Sequence, residues 1–418
     1  ATHYYLKEIS APAGYQVSTT VYDLVVTETA GAVVSATDNT TYVVTHTTPH
    51  TAALTSSALT ISEHAATINN SLRTGTLRLT KTVSPIAAAS GNFTFNIYSG
   101  TNTSGTPLRT VTVAAGSSAD VANLSYGTYT IAEDDPGNTE NYTYSGVTYS
   151  GTSVTSTGVV TFHPAASGDT INVTATNTYT IRTGSLTVSK TVDNHTGDDT
   201  QFTFTVKLGG SNYNGSYTVS GTSYTTDNGR ITLKDGQSAV INGIPYNTAY
   251  TVTETANDAY TTTYSANGAS VAGYSVAGTI NSTTPAPTAA FTNRYITGSF
   301  NVVKKDASNH ATLTEAKFLL TGANSFSQEV TVNASGVASF TGIPAGTYTL
   351  SESQGPDNYV KSNTEWTVTV DASGVAIAKK TSLLGGIGDF LGLTPPDDFT
   401  APAVVDGTLS MDVYNSHE

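Results

Sequence analysis

The chain has 418 residues, too many for one hydrophobic core and enough for three to five domains. Only 11% are charged, and 31 acidic against 17 basic residues give a formal charge of −14, which sets the chain against nucleic acid or an anionic membrane as partner. The absence of cysteine excludes disulfides, thiolate metal sites and cysteine nucleophiles together, and no apolar run of about 18 residues marks a membrane span.

Short alternating segments of Val, Thr, Tyr, Ile and Phe, broken by Gly, Asn, Asp and Pro, run almost from end to end, with no long amphipathic helix between them. The reading is therefore all-β, with the neutral, hydroxyl-rich surface of an extracellular protein. Near the start lies Tyr4-Tyr-Leu6-Lys-Glu8, and Ile68-Asn-Asn70 closes that first stretch. A different strand then opens on a glycine, Gly75-Thr-Leu77-Arg-Leu79-Thr-Lys81, followed by Tyr129-Thr-Ile131-Ala-Glu133 and Ala175-Thr-Asn177. The same three segments recur in order. Gly184 to Lys190, Tyr250 to Glu254 and Phe291-Thr-Asn293 form one set, and Gly298 to Lys304, Tyr348 to Glu352 and Val413-Tyr-Asn415 another.

Unit boundaries follow at about 75, 184 and 298, giving segments 1–74, 75–183, 184–297 and 298–418, each long one a sandwich of about seven strands or more. The joints are a few residues long and lack Gly/Ser or Pro tracts, which predicts a stiff head-to-tail rod. The first unit keeps Glu8 and Asn70 without a matching lysine, since Lys7 has the outward parity. Its lysine strand is expected either upstream of Ala1 or from a neighbouring subunit. In the fourth unit an apolar insertion spans residues 383–393, read as a cap on the sandwich or an exposed patch for a partner.

Strand side chains alternate between faces, so a strand that buries its Tyr and its aliphatic residue also points its Glu inward. The lysines and asparagines fall on the apolar parity of their own strands too. A lone buried carboxylate is costly, so each complete unit is expected to bring Lys, Glu and Asn together. The plain outcome would be a buried ion pair; recurrence of all three groups in order points to a shared chemistry.

The ordered motifs resemble the collagen-adhesin B-type and pilin-type immunoglobulin-like domains of Gram-positive surface proteins. That resemblance covers nearly the whole chain and implies immunoglobulin-like (prealbumin-like) β-sandwiches in tandem, the first and fourth of B type. It also implies spontaneous isopeptide bonds between a first-strand lysine and a last-strand asparagine, assisted by a buried acid. Carried onto this sequence, the crosslinks are Lys81 to Asn177, Lys190 to Asn293 and Lys304 to Asn415, with Glu133, Glu254 and Glu352 as the acids. Lys305 rivals Lys304 and Asn69 rivals Asn70; parity and spacing favour Lys304 and Asn70.

Burial would favour the neutral, nucleophilic amine and the protonated carboxyl, which could donate to the asparagine carbonyl, and the fold would hold the reactants in contact. The expected function is a structural stalk or pilus-shaft segment, cell-wall anchored or polymerised, with neighbouring domains or subunits of the same fibre as partners. The alternative is an adhesin module that binds a host matrix protein or glycan. No cofactor or metal is expected: the eight histidines are scattered, and Asp198-Asp199 and Asp397-Asp398 lack an EF-hand pattern. Nor is turnover catalysis, since no zinc-protease helix, nucleophile elbow or phosphate loop is present.

Overall fold

The computed structural model describes residues 2–30, 40–44, 50–55, 60–62, 65–197, 199–266, 268–380 and 398–418. The insertion at 383–393 and most of the Thr-rich stretch from Ser35 to Ser57 lie outside the described residues. Within them the regular structure is β, and no helix is long and apolar enough to cross a membrane. Alternation is realised strictly. Along Thr74–Ser84 every second residue from Gly75 to Val83 is buried, and Lys81 falls in that series.

The chain divides into two compact units, residues 1–182 and 183–418. The first opens with a sheet ordered Thr2–Lys7, Val21–Ala30, His50–Thr55, Thr40–Val44. It continues into a sandwich. One layer runs Ser118–Ser125, Thr74–Ser84, Thr170–Ile181, Tyr142–Ser150, the other Val159–Phe162, Gly127–Glu133, Asn92–Ser99, Arg109–Ala114. Leu77, Leu79, Phe95, Ile97 and Phe162 fill the space between them.

The second unit holds two further cores, one around Leu186, Phe204, Ile241 and Phe291, the other around Phe300, Phe318, Trp366 and Val413. In each, one sheet carries the lysine strand (Thr183–Asp193 or Thr297–Asp306) beside the asparagine strand (Thr288–Tyr295 or Thr408–Asn415). The opposite sheet carries the acid strand, Thr248–Glu254 or Gly346–Gln354. The chain is thus a series of immunoglobulin-like β-sandwiches.

The lysine and asparagine strands pair in parallel, while the other described ladders are antiparallel. Their register is constant: Lys81 lies opposite Ala175, Lys190 opposite Phe291 and Lys304 opposite Val413, each the residue two before the asparagine. Parallel neighbours require a crossover, and here the rest of each sandwich forms it. Spacings of about 4.8 Å between strands and 3.3 Å per residue put the lysine and asparagine Cα atoms about 8 Å apart on one face, within reach of an extended lysine.

The recurring glycine and tyrosine have local causes. At Gly75 a Cβ would lie 2.5 Å from the Asp169 carbonyl oxygen, and at Gly184 it would collide with that of Pro285, so a neighbouring backbone crosses where a side chain would stand. The Tyr129 hydroxyl donates to the Ser125 carbonyl and that of Tyr348 to the Pro344 carbonyl, both at 2.7 Å, which gives a core ring its hydrogen-bond partner.

The first unit departs from the expectation that every such strand buries its Tyr and aliphatic residue. Tyr4 is 57% and Leu6 39% exposed, whereas the matching Tyr348 and Leu350 are 6% and 0%. Among the described residues Thr2–Lys7 pairs on one side, whereas Gly346–Gln354 lies between two strands, which accounts for the difference in exposure.

Gly184→Ala should destabilise its sandwich by about 1–3 kcal/mol through overpacking. Calorimetry of the whole chain checks this; an unshifted transition for that sandwich would mean that the Pro285 backbone yields freely.

Candidate functional site

Within each of the three sandwiches, one lysine, one glutamate and one asparagine meet in the buried space between sheets. The side chains of Lys81 and Glu133, Lys190 and Glu254, and Lys304 and Glu352 are all 0% exposed, and Asn177, Asn293 and Asn415 are buried with them. Lys81 Nζ stands 3.3 Å from Glu133 Oε2, Lys190 Nζ 3.1 Å from Glu254 Oε1, and Lys304 Nζ 3.4 Å from Glu352 Oε1. The asparagine completes each set. Nδ2 of Asn177, Asn293 and Asn415 donates to Oε1 of its glutamate at 2.8, 2.6 and 3.0 Å.

The rivals fall elsewhere. Lys305 points away from Lys304, partly exposed and paired with Asp412 at 2.7 Å. Asn69 is exposed while Asn70 Nδ2 donates to Glu8 at 2.8 Å, and Lys7 is exposed. Asp398 accepts from the Ser362 and Thr364 hydroxyls, and Asp199 pairs with Lys234 at 2.5 Å, so both carboxylates have protein partners.

One detail differs from expectation. The carboxyl does not donate to the asparagine oxygen; the amide donates to it, and Oδ1 of Asn177 and of Asn293 is buried without a hydrogen-bond partner. In the fourth sandwich Asn415 Oδ1 accepts from Lys304 Nζ, which brings the amine against the amide directly. The glutamate therefore lies beside the nitrogen that would leave in an attack by lysine on Cγ. Half a turn of the amide would exchange its oxygen and nitrogen and place the oxygen against the carboxyl instead.

Electrostatics follow from burial. Desolvation pushes the Lys81 amine below its ordinary value, against the pull of Glu133, and takes Lys304 down to about 8. Burial likewise pushes Glu133, Glu254 and Glu352 up, opposed by their lysines and by the amide bonds. A proton passing from ammonium to carboxylate leaves the net charge unchanged. It converts a costly buried ion pair into a neutral amine beside a neutral acid.

Several supporting residues went unread in the sequence. Lys81 Nζ lies 4.7 Å from the Phe93 ring centre and Lys190 Nζ 4.3 Å from that of Phe202. Both rings open a Phe-Thr-Phe segment the same distance beyond their lysines, 81 to 93 and 190 to 202, a repeat that would have found them. The fourth sandwich has Ala316 there and is supported differently: Ser362 N donates to Glu352 Oε2 at 2.7 Å. Asp306, opposite Asn415, accepts from Ser308 N and Oγ at 2.6 Å and from the Tyr359 hydroxyl at 2.8 Å. Those donors, Ser308 foremost, hold its carboxyl far below the usual range.

Residues 298–382 match SpaA, described as a prealbumin-like fold domain. Over that span the fourth sandwich is similar to a prealbumin-like fold domain. Residues 184–295 and 77–180 match two families described as domains of unknown function, DUF7601 and DUF5979. Comparison with curated protein sequences found no match.

Among solved structures, the chain is similar to the Bacillus anthracis TIE protein at 18% identity and a TM-score of 0.41, over 85% of this chain and 57% of that one. It is similar to a C-terminal fragment of pilus adhesin SpaC from Lactobacillus rhamnosus GG at 15% identity and 0.33, over 57% and 98%. The major pilin from Streptococcus pyogenes follows at 20% identity and 0.28, over 53% and 98%. The chain spans 57% of the length of the first of these.

The Asn415→Ala variant, which retains Lys304 and Glu352 without the amide, should show the electrostatic cost of the unlinked pair. Lys304 holds fewer protons folded than unfolded between about 8 and 10.5, so stability rises with pH across that window. Glu352 holds more protons folded than unfolded as pH climbs from 4.5, so stability falls there. Denaturant unfolding of this sandwich should find a minimum near neutrality and a recovery of up to roughly 3 kcal/mol above it. A steady decline through the upper window would contradict the burial of the amine.

Proposed function

We propose that this chain is a structural segment of a Gram-positive bacterial surface fibre, a pilus shaft or adhesin stalk. In this reading its sandwiches are locked by spontaneous isopeptide bonds between Lys81 and Asn177, Lys190 and Asn293, and Lys304 and Asn415. The observation that carries it is the repeated meeting of amine, amide and acid in the solvent-inaccessible interior, at one constant strand register. The domains are extracellular, their partners are neighbouring domains or subunits of the same fibre, and the chemistry occurs once per site without turnover.

The step balances within each triad. Proton transfer from lysine to glutamate gives a neutral amine, and Nζ attacks the asparagine Cγ. The Nζ–Cγ bond forms and the Cγ–Nδ2 bond breaks. The carboxyl protonates the departing Nδ2, to which it is already hydrogen-bonded, and takes a proton from the attacking nitrogen, so ammonia leaves and the acid is regenerated. Proximity replaces a slow bimolecular aminolysis with an intramolecular one.

The bond suits a load-bearing fibre. The chain enters each sandwich on the lysine strand and leaves on the adjacent parallel asparagine strand. A link between them passes tension from Lys81 to Asn177 and spares residues 82–176, which would otherwise extend by roughly 300 Å. Closing such a loop also restricts the unfolded chain by about 4–5 kcal/mol on the disulfide loop-entropy scale.

Intact-mass spectrometry of the natively purified chain should find it lighter by three ammonia molecules. Lys190→Ala should restore one of them and lower the melting transition of its sandwich. A mass equal to that of the unmodified sequence would refute the crosslinks and leave three buried ion pairs.

A further inference from the structure

At two of the three sites the asparagine oxygen is unmatched, and in both an unmatched hydroxyl stands beside it. Among the described residues, Oδ1 of Asn177 and of Asn293 is buried with no hydrogen-bond partner, and so are the Tyr179 hydroxyl and Thr262 Oγ1. Tyr179 follows Asn177 by two residues on one strand, so both face the core, 5% and 0% exposed. Thr262 is 6% exposed and lies directly opposite Asn293 in the antiparallel ladder of Tyr260–Ala266 with Thr288–Tyr295. Such a pair holds its Cβ atoms about 5 Å apart on one face. A buried polar group left unpaired is costly, and here four of them stand as two neighbouring couples.

The two sandwiches supply the hydroxyl from different places. Opposite Asn177 the ladder carries Val147, which has no hydroxyl, and Tyr179 takes the role. Two residues beyond Asn293 comes Tyr295, partly exposed and stacked on His195 with 4.0 Å between ring centres, and there Thr262 takes it. In the fourth sandwich the oxygen is already met, since Asn415 Oδ1 accepts from Lys304 Nζ, and the residue two beyond it is the exposed His417. Burial pushes the Tyr179 phenol above its ordinary value, so it keeps its proton, while the Asn177 side chain acts on it in the opposite sense, as an amide close to the hydroxyl does.

We propose that Tyr179 and Thr262 are the oxyanion donors of the second and third sandwiches, each giving its O–H to the asparagine Oδ1 as the lysine adds. The proposal rests on the isopeptide reading above. The glutamate occupies the Nδ2 side of the amide, so hydroxyl and carboxyl act on its opposite ends. When Nζ bonds to Cγ, an electron pair of the Cγ–Oδ1 double bond moves onto oxygen, and the hydroxyl meets that charge without giving up its proton. The pair returns as the double bond reforms and the Cγ–Nδ2 bond breaks. Nitrogen leaves as ammonia with one proton relayed from Nζ by the glutamate, and the hydroxyl ends unchanged. The same contact orients the amide: with Oδ1 toward the hydroxyl, Nδ2 faces the acid that protonates it.

The test makes the full chain by cell-free translation, stops samples at timed intervals with acid and denaturant, and counts each crosslinked peptide by mass. Thr262→Val should slow the Lys190–Asn293 link by about 100-fold or more and leave the other two at their own rates. Tyr179→Phe should do the same to the Lys81–Asn177 link alone. Thr262→Ser, which keeps the hydroxyl, should link at close to the original rate. Neither slow variant should lower the melting transition of its sandwich, because the hydroxyl removed has no other partner. Linking at the original rate in either variant overturns that residue's role. A slow link accompanied by a destabilised sandwich, or a Thr262→Ser chain as slow as Thr262→Val, would assign the loss to packing and overturn it too. Absence of all three links from the unaltered chain would instead overturn the isopeptide reading itself.

Discussion

Everything distinctive in this molecule depends on burying an ammonium, a carboxylate and an amide between two sheets, out of reach of solvent. Taking two charges out of water costs several kcal/mol per ion, and their mutual attraction rarely recovers all of it. Left as an ion pair, each site would be a weak element of its sandwich. Proton transfer within the pair relieves that cost and yields the reactive form of both groups, so the conditions that make the site unfavourable also make it reactive. Condensation would leave neutral groups there and remove the cause of the strain.

The layer architecture supplies the geometry. Lysine and asparagine share one face of one sheet because their strands are parallel neighbours two residues out of step, and the glutamate reaches them from the sheet opposite. The three groups therefore come from the beginning, middle and end of each sandwich and meet only when both layers have closed. A chain without cysteine has no disulfide to join its first strand to its last. An amide between those strands would serve the same end and would not be open to reduction.

The three complete sites share their reactants and differ in their supports. Aromatic rings lie against the lysines of the second and third sandwiches, at Phe93 and Phe202. In the fourth, Ser362 holds the acid, Asp398 holds Ser362, and Asp306 gathers donors beyond the lysine. The first unit has the matching contact, from Ser18 N to Glu8, and so belongs to the same variant. Constant reactants on variable supports are what the proposed condensation would require: it would fix the amine, acid and amide, while burial can be achieved by any side chains that exclude water.

Parity along single strands was enough to name the inward residues, because period-two alternation is a local rule that holds wherever one face is buried. It separated Lys304 from Lys305, while the spacing to the next glycine separated Asn70 from Asn69, and the repeats marked the glycine and tyrosine whose causes the fold later explained. It could not say that Tyr4 and Leu6 would stand exposed, since burial depends on a covering strand and not on the strand that carries the residue. Nor could it give the parallel register, the direction in which each amide points, or the carboxylates at Asp306 and Asp398 that brace the fourth site. Those were decided by tertiary structure, because each depends on which distant segments become neighbours, and alternation along one strand carries no information about the strand beside it.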